Sequence, residues 1–349
     1  LLLPNFYSFN RLNKDNTEYF QSNDSSKIIN ICLAQSNTDP FKKWEKNGQE
    51  KTIGSYIDKL HEGLKYNPDM LVLHETAPPY YFLEDYNGLK TKIFTDFVDS
   101  SGKYLLMGIP HLEYYKDTSL APRDAKRMMG SGRLYDTYNA AILLEPHKNL
   151  RESVIHKKAK LVPFSERVPY QEYLKFLKDW FTWGVGLSGW QFGKEMTVFT
   201  LKNREMNIDT KFSVLICFES VFSDFVREGT RDGAEFLVIV TNDGWFGHTS
   251  GPIQHERYAV LRAIENRKWI ARCAQTGISC YIDPLGNVYD RIPYGTEGVI
   301  DRTIIANTEK TFFAVNGDII GRISFYAGLL CLAACIVNYA LRKILRGKA

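Results

Sequence analysis

Short apolar runs alternate with amphipathic segments along most of the chain, and this alternation predicts a layered α/β fold. Six continuously apolar runs have the length and composition of strands; they span residues 27–35, 69–75, 104–110, 138–145, 212–219 and 236–242. Runs without polar alternation are typical of strands that are covered on both faces. We therefore predict buried sheets with helices packed against them.

Three segments between or after these strands are predicted as helices, and they span 52–66, 220–232 and 254–268. In the last of them, Tyr258, Leu261 and Ile264 fall on one apolar face. Residues 279–292 are predicted to form a β-hairpin, because Pro284 and Gly286 lie at the position of its turn.

Two segments do not have the pattern of a scaffold. Residues 111–134 are polar, contain Gly130 and Gly132, and are predicted to be a mobile surface loop. Residues 170–192 combine glycines with a dense set of aromatic residues, namely Tyr170, Tyr173, Phe176, Trp180, Phe181, Trp183, Trp190 and Phe192. Such a set is compatible with a satellite core, and beside a membrane it is equally compatible with a lid or a lipid-facing arm.

The C-terminal region contains a stretch that is typical of a membrane span. No charged residue occurs from Ile323 to Leu341, and as a helix this stretch is about 28 Å long, close to the thickness of the hydrocarbon core. Tyr326 and Tyr339 lie near its ends, where aromatic rings favour the interface. We predict a transmembrane helix over 319–343, with a buried core helix as the alternative.

The charges that flank this helix predict its orientation. The tail 342–349 contains Arg342, Lys343, Arg346 and Lys348, whereas few cations precede the helix. The positive-inside rule then predicts a cytoplasmic C-terminus and an extracytoplasmic domain upstream. Because the chain opens at Leu1 without the pattern of a signal peptide, we expect residues 1–26 to be a polar linker after a missing N-terminal membrane region.

Composition narrows the possible partners. The 349 residues are 44% hydrophobic and 24% charged, as in globular proteins, and the net charge of +4 is too small to indicate a nucleic-acid partner. Six cysteines in a chain of this length do not form a disulfide framework, and their spacing does not suit zinc. We expect no metal site and no cofactor.

Two reactive side chains stand at places where an α/β fold gathers its ligands, and a third, Lys158, lies in a cationic segment. Glu75 and Cys217 each lie at the end of a predicted strand, and ligands of open sheets bind beyond the carboxyl ends of strands. Backbone N–H groups where a helix begins after Cys217 favour a thiolate. Taken singly, the cysteine fits inert packing, the glutamate a surface acid, and Lys158 a solvated cationic face.

Together with their neighbours, these residues resemble one family. The segments VLHETAPP, HKKAKLVPFSERVP, ICFES and TNDGWFG are similar, in this order, to the four signature blocks of the nitrilase (carbon–nitrogen hydrolase) superfamily. The resemblance extends from about residue 27 to about residue 305. It implies an α-β-β-α sandwich and a Glu–Lys–Cys triad, which corresponds to Glu75, Lys158 and Cys217.

Within that superfamily, the chain resembles the apolipoprotein N-acyltransferase branch. The segments LVPFSERVP and GWFG–GPIQH and the membrane helix after the domain carry this resemblance, although Ser165 stands where glycine is expected. It implies a catalytic domain over 27–310 on the periplasmic face of the bacterial inner membrane. The implied reaction moves a fatty acyl chain from a membrane phospholipid, through a cysteine thioester, to the α-amine of the S-diacylglyceryl cysteine of apolipoproteins.

The resemblance also implies roles for individual residues. Glu75 is the base, and Lys158, favoured over Lys157 and Lys160, holds the oxyanion with the backbone N–H of Phe218. Other residues in and near these segments are expected to have supporting, substrate-binding or structural roles. By this resemblance Glu166 is expected to orient the lysine, Glu219 to bond near the thiol or its lysine, and Trp245, Phe246 and Tyr138 to bind substrate, with a structural role as the alternative for Trp245. From the sequence itself, Asn242 and Asp243 are expected to cap a turn, and His74, on the other face of its strand, to be structural.

Two other functions fit parts of the sequence. A membrane-tethered amidase or nitrilase would use the same triad on a small C–N substrate, and a nitrilase-like binding module would use none of it. An acyl adduct on Cys217 after incubation with phospholipid separates the transferase from the first. Full activity of a Cys217→Ser variant would favour the second.

Overall fold

A computed structural model describes most of the chain, namely residues 27–40, 42–45, 48–170, 189–203 and 208–346. The predicted linker 1–26 lies outside these residues. Most of the aromatic segment 170–192 also lies outside them, since its description ends at Tyr170 and resumes at Gly189.

The first sheet is built mainly from the N-terminal half of the chain. Its strands are β1 Ile28–Gln35, β2 Met70–Val72, β3 Tyr104–Tyr114, β4 Lys126–Arg127, β5 Leu134–Leu144, β6 Ile155–Lys157 and β13 Gly298–Ile305. They are arranged in the order β13-β1-β2-β3-β5-β4, and β6 pairs with β5. The pairs β1–β2 and β2–β3 are parallel and β3–β5 is antiparallel, so the sheet is mixed.

The second sheet contains the strands that precede and follow Cys217. These are β7 Val198–Asn203, β8 Ile208–Ile216, β9 Phe236–Thr241, β10 Ile270–Ala274, β11 Ser279–Ile282 and β12 Val288–Ile292. Their order is β12-β11-β10-β9-β8-β7, with β8, β9 and β10 parallel at the centre. The carboxyl ends of these central strands therefore share one edge of the sheet.

The two sheets face each other, and helices cover their outer faces. Inward residues of both sheets, such as Leu33 and Val214, form one core. The helices α1 Gln49–Gly63 and α2 Leu89–Ser101 pack on the first sheet, and α3 Ser223–Arg231 and α4 Gly251–Asn266 pack on the second. The layers are those of the predicted α-β-β-α sandwich. Because successive side chains of a strand point to opposite faces, the continuous apolar runs explain why both faces are buried.

Several element boundaries differ from the sequence prediction. Residues 111–114 continue β3, and β5 begins at Leu134, so the predicted loop 111–134 is shorter and also contains β4. The predicted strand 212–219 ends at Ile216, where a 3₁₀ helix, Cys217–Val221, begins, and the predicted strand 69–75 ends at Val72. In each place the pairing of backbone groups, rather than polarity, sets the boundary.

The apolar face predicted for α4 is not its buried face. Tyr258, Leu261 and Ile264 are 40–48% exposed, while His255 and Arg262 are 5% exposed. The polar side chains can be buried because they find partners inside: His255 contacts Asp243, and Arg262 donates to the carbonyl of Val221. This inversion places charged groups of α4 beside the end of β8.

After β13 the chain forms the short helix α5 Phe312–Asn316 and the long helix α6 Ile319–Arg346. Within α6, Ile319–Lys343 is long and apolar enough to cross a membrane, judged by length and composition. None of this stretch is buried against the rest of the described chain. The alternative of a buried core helix is therefore wrong for the described residues.

Candidate active site

Glu75 stands three residues beyond β2, at the carboxyl end of the parallel part of the first sheet. It is 5% exposed, and its Oε1 accepts a hydrogen bond of 2.7 Å from the Asn139 amide. The next residue, Thr76, has a left-handed φ of 45°, which turns the chain away from the strand. The carboxylate is thus fixed on a sharp turn, as the sequence analysis expected of a crevice.

Lys158 follows β6 and is 1% exposed. Its Nζ lies 3.0 Å from Oε1 of Glu75 and 2.9 Å from Oε1 of Glu166. Burial alone would lower the pKa of this ammonium, but the Glu166 and Glu75 carboxylates raise it well above its ordinary value. The side chain therefore holds a fixed positive charge between two acids.

The neighbouring lysines occupy other environments. Lys157 pairs with Glu113, and the ammonium of Lys160 lies over the rings of Phe222 and Phe225 at 5.9 and 5.4 Å. Among the three lysines of this segment, the geometry brings Lys158 to Glu75.

Cys217 is the first residue of the 3₁₀ helix that follows β8 and is 8% exposed. Its φ of 51° lies in the left-handed region, where a non-glycine residue is strained. The Glu75 and Lys158 charges and the Thr241 side chain all act on the pKa of the thiol. The structure therefore gathers the three predicted triad side chains in one buried place.

The thiol is held in its neutral form in the resting site. Burial and the Glu75 carboxylate raise the pKa of Cys217 strongly, and the Lys158 ammonium opposes them. The expectation that the strand end would favour a thiolate is thus wrong for the resting protein, because burial outweighs a helix of only five residues. The thiol can therefore act as a nucleophile only if a neighbouring base takes up its proton during the reaction.

Glu219 links the two halves of the site without touching the thiol. It is fully buried, and its carboxylate accepts hydrogen bonds from the backbone N–H of Ile216 at 2.8 Å and of Ala159 at 2.6 Å. His156 adds a ring nitrogen 3.0 Å from the same carboxylate. One carboxylate therefore ties the residue before Cys217 to the residue after Lys158. Glu166, besides contacting Lys158, accepts from the backbone N–H of Val162 at 2.8 Å.

The three predicted substrate-binding residues lie in different environments, and their role in binding stays a prediction. Trp245 and Phe246 are 38% and 43% exposed, in the short helix that follows β9. Tyr138 packs under the Lys157 ammonium at 4.6 Å and points to the opposite face of β5 from Asn139. Phe218 follows Cys217, and its ring packs edge-on against Phe222. His74, as expected, is structural: it is buried against Tyr56 and Ser36.

Two side chains near the triad were not singled out by sequence reasoning. The Asn139 amide donates to the carboxylates of both Glu75 and Glu166. Lys43 is fully buried, and its Nζ contacts Thr76 O at 2.9 Å and Gln275 Oε1 at 2.7 Å. Burial lowers the pKa of Lys43 to about 7, with Glu75 opposing the shift. A lysine in the polar run KKW carries no pattern that reveals burial, whereas the strand position of Asn139 could have been read as facing Glu75.

Asp243 also differs from expectation. Asn242 does cap the turn, since its Oδ1 accepts from Gly244 N at 3.2 Å. Asp243 is instead fully buried, with its carboxylate 2.8 Å from Arg272 and 2.8 Å from His255. The local turn pattern could not show that these long-range partners exist.

A thiol, a carboxylate and an ammonium that meet in one pocket suit addition of sulfur to a carbonyl carbon. The carboxylate can take up the thiol proton, and the ammonium can hold the negative oxygen that forms. This chemistry is acyl transfer, to water or to another nucleophile.

Comparisons with known proteins agree with this chemistry. The family model described as carbon–nitrogen hydrolase matches residues 31–311. A protein of Chlorobaculum tepidum named apolipoprotein N-acyltransferase is 32% identical over 90% of this chain and 58% of its own length. One of the same name from Geobacter metallireducens is 29% identical over 98% of this chain and 58% of its own length. The chain thus spans somewhat more than half the length of the curated relatives it matches.

Solved structures show the same fold at low identity. An amidase from Nesterenkonia sp. superposes with a TM-score of 0.53 at 14% identity and covers 81% of this chain and 92% of the amidase. A Saccharomyces cerevisiae member of branch 10 of the nitrilase superfamily gives 0.54 at 16% identity, over 80% and 90% of the two chains.

Proposed function

The chain belongs to the carbon–nitrogen hydrolase family, and we propose that it is an N-acyltransferase that modifies lipoproteins. The donor is a membrane phospholipid, and the acceptor is the α-amine of an N-terminal S-diacylglyceryl cysteine. The relatives named apolipoprotein N-acyltransferase, matched over most of this chain, support this choice over a small-molecule amidase.

The observation that carries the proposal is the meeting of Glu75, Lys158 and Cys217 in one buried place. The Lys158 ammonium lies 3.0 Å from the Glu75 carboxylate, and both act electrostatically on the thiol. Burial of a charge costs free energy. An ammonium that is nevertheless buried beside a nucleophile therefore supports a role in stabilising the negative charge of the transition state.

In the first half-reaction, the sulfur of Cys217 attacks the ester carbonyl carbon of the phospholipid while its proton passes to Glu75. Lys158 and the backbone N–H of Phe218 hold the negative oxygen. The ester C–O bond then breaks, Glu75 returns the proton to the departing oxygen, and lysophospholipid leaves. The acyl chain remains as a thioester on Cys217.

In the second half-reaction, the amine nitrogen of the acceptor attacks the thioester carbon. Glu75 takes a proton from the nitrogen, the C–S bond breaks, and the sulfur regains that proton. The products are an amide and the free thiol, so the site is restored. Exclusion of water favours the amine over hydrolysis, and a site that faces lipid provides it.

A membrane location follows from the same proposal. The exposed helix α6 fits a membrane span by length and composition, and the cations Arg342 and Lys343 near its C-terminal end favour a cytoplasmic C-terminus. The catalytic domain, over about residues 27–310, then lies on the periplasmic face of the inner membrane. The exposed rings of Trp245, Phe246 and Phe192 would face the lipid that enters the site.

An assay with both substrates tests the proposal. The chain is incubated in detergent micelles with phosphatidylethanolamine and phosphatidylglycerol that carry labelled acyl chains, together with a peptide that begins with S-diacylglyceryl cysteine. We expect labelled N-acyl peptide, and none from a Cys217→Ser variant. A Cys280→Ser variant is the matched control, since Cys280 is buried in β11 of the second sheet.

The same assay separates the alternative. Labelled fatty acid without N-acyl peptide, together with turnover of small amides, would show a hydrolase and overturn the proposal. Identical N-acylation by the Cys217→Ser variant would overturn the role of the thiol.

A further inference from the structure

Cys217 stands at the end of a buried network that the proposed reaction does not use. Asp243, His255, Ser220 and Arg272 are all 5% exposed or less. They come from the turn after β9, from α4, from the 3₁₀ helix and from β10. Four separate elements thus send polar side chains to the underside of one cysteine.

The network ends on the backbone of the nucleophile. The Ser220 hydroxyl donates to the carbonyl oxygen of Cys217 at 2.8 Å. His255 Nε2 lies 2.9 Å from that hydroxyl oxygen and 3.0 Å from the carbonyl oxygen itself. With the hydroxyl hydrogen directed at the carbonyl, both contacts of Nε2 are with acceptors, so Nε2 donates.

The other side of the ring is held by a buried ion pair. His255 Nδ1 lies 2.8 Å from Oδ1 of Asp243, and Arg272 Nη2 lies 2.8 Å from Oδ2. Burial alone would raise the pKa of Asp243, but the Arg272 guanidinium and the His255 ring hold it well below its usual range. The carboxylate is therefore ionised, and it holds this side of the ring.

The same carboxylate has a further partner near the thiol. Thr241 donates from its hydroxyl to Oδ1 of Asp243 at 3.0 Å, and the Thr241 side chain acts to lower the pKa of the Cys217 thiol. Asp243 is thus connected to the carbonyl of Cys217 through His255, and it also holds Thr241.

This arrangement matters because Cys217 is strained. Its left-handed φ of 51° is unfavourable for a side chain and persists only where surrounding contacts hold it. The donors on its carbonyl oxygen are such contacts, since they fix the peptide plane that follows the strained torsion.

We propose that His255 is a positioning residue: held by Asp243, it fixes the Cys217 carbonyl and so keeps the thiol aimed at Glu75 and Lys158. The inference rests on the proposed nucleophilic role of Cys217. His255 acts through the backbone and has no contact with the reacting carbon.

Two variants at one position separate this role from a purely structural one. The amide of glutamine places a donor near the position of Nε2, so His255→Gln keeps the bond to the Cys217 carbonyl and weakens the contact with Asp243. The amide of asparagine lies near the position of Nδ1, so His255→Asn keeps the contact with Asp243 and loses the hydrogen bond to the Cys217 carbonyl. Asparagine also has the lower helix propensity, so the melting temperature of each variant is measured to separate a loss of stability from a loss of positioning.

The readout is the rate at which iodoacetamide alkylates Cys217, followed by peptide mass mapping in the full chain, beside the melting temperature. We expect His255→Gln to stay within about threefold of the parent and His255→Asn to be about 10- to 100-fold slower, as for a misplaced reacting group. In the lipid assay the rate of acyl-adduct formation should fall in parallel, with the half-saturating phospholipid concentration unchanged.

Ser220→Ala keeps the test usable if the histidine variants unfold, because it removes the hydroxyl donor to the same carbonyl. It should also slow alkylation. Ser279→Ala is the control, since Ser279 is a buried serine that is bonded to the backbone N–H of Ala274. It should not change the alkylation rate.

The opposite order, with His255→Asn at the parent rate and His255→Gln slow, would overturn the inference, as would parent rates in both variants. Alkylation needs no phospholipid, so it reports on positioning even if the parent chain forms no acyl adduct. That last result would contradict the proposed function alone.

Discussion

The two sheets contribute to the site in physically different ways. The first sheet supplies Glu75 and Lys158, whose side chains are fixed by ion pairs of 3.0 and 2.9 Å among three charged groups. The second sheet supplies Cys217, whose backbone is held in a left-handed conformation from below by Ser220 and His255. The first half is organised by charge and the second by backbone geometry. Substitutions in the two halves should therefore have different effects on reactivity and stability.

The largest expected effect is on the charged half. Glu75→Gln keeps the shape of the side chain but removes the base, so we expect acyl-adduct formation to slow by about 10²–10⁴-fold, the usual contribution of a general base. The initial rate of labelling from phospholipid measures this. Glu84→Gln, at an exposed acid of the loop that follows Glu75, is the control and should retain the parent rate. If Glu75→Gln forms the acyl adduct at the parent rate, the Glu75 carboxylate is not the base.

Two buried lysines sharpen the comparison. Lys158→Met leaves the carboxylates of Glu75 and Glu166 buried without their cation, and we expect it to reduce the free energy of unfolding by about 3–5 kcal/mol. Lys43→Met leaves only neutral acceptors unpaired, on Thr76 and Gln275, and should cost about 1–3 kcal/mol. Denaturant unfolding in detergent compares them. Equal losses of unfolding free energy would mean that the ion pairs of Lys158 contribute no more to stability than the neutral contacts of Lys43.

The pH dependence of stability should carry the signature of Lys43. Its pKa is about 7 in the folded chain against 10.5 for an ordinary lysine, so between these values the unfolded chain binds more protons. Stability from this group is therefore full above pH 10.5 and is lost as the pH falls through 7. The melting temperature of Lys43→Met, measured from pH 7 to 10, should rise less with pH than that of the parent. Parallel curves would contradict the buried environment of this lysine.

Added methyl groups give a smaller and paired test. A Cβ at Gly108 would lie 2.6 Å from the Glu75 backbone, and one at Gly277 would lie 2.1 Å from Oδ2 of Asp243. Each alanine should cost about 1–3 kcal/mol of stability by overpacking. Gly277→Ala should also slow iodoacetamide alkylation of Cys217, whereas Gly108→Ala should chiefly slow phospholipid-dependent acylation.

The control for both is Gly54→Ala, since a Cβ there meets no atom within 4 Å in α1. It should leave both rates unchanged. If Gly277→Ala alkylates at the parent rate, the network below Cys217 does not position the thiol.

The sequence predicted the charged half of the site better than the other half. Glu75 and Lys158 lie in extended blocks whose order along the chain is distinctive, and the strand before Glu75 could be located from its apolar run. Asp243 was interpreted as a turn cap, because its partners Arg272 and His255 are distant in the chain. The buried face of α4 was wrong for the same reason: burial of His255 and Arg262 depends on tertiary partners, which hydrophobic periodicity does not report.

The long apolar helix α6 shows the opposite situation. An uninterrupted apolar stretch is a local signal, so α6 was predicted within a few residues of its observed bounds, Ile319–Arg346. The left-handed φ of Cys217 has no local signal, since a cysteine has no intrinsic preference for it. Strain of this kind becomes visible only in the structure.

The most direct test is a time course of the mass of Cys217-containing peptide after the chain is mixed with phospholipid in the absence of acceptor. The account predicts that an acyl chain accumulates on this cysteine toward one per molecule and disappears when S-diacylglyceryl cysteine peptide is added, as N-acyl peptide forms. Formation of N-acyl peptide with Cys217 free throughout would contradict it.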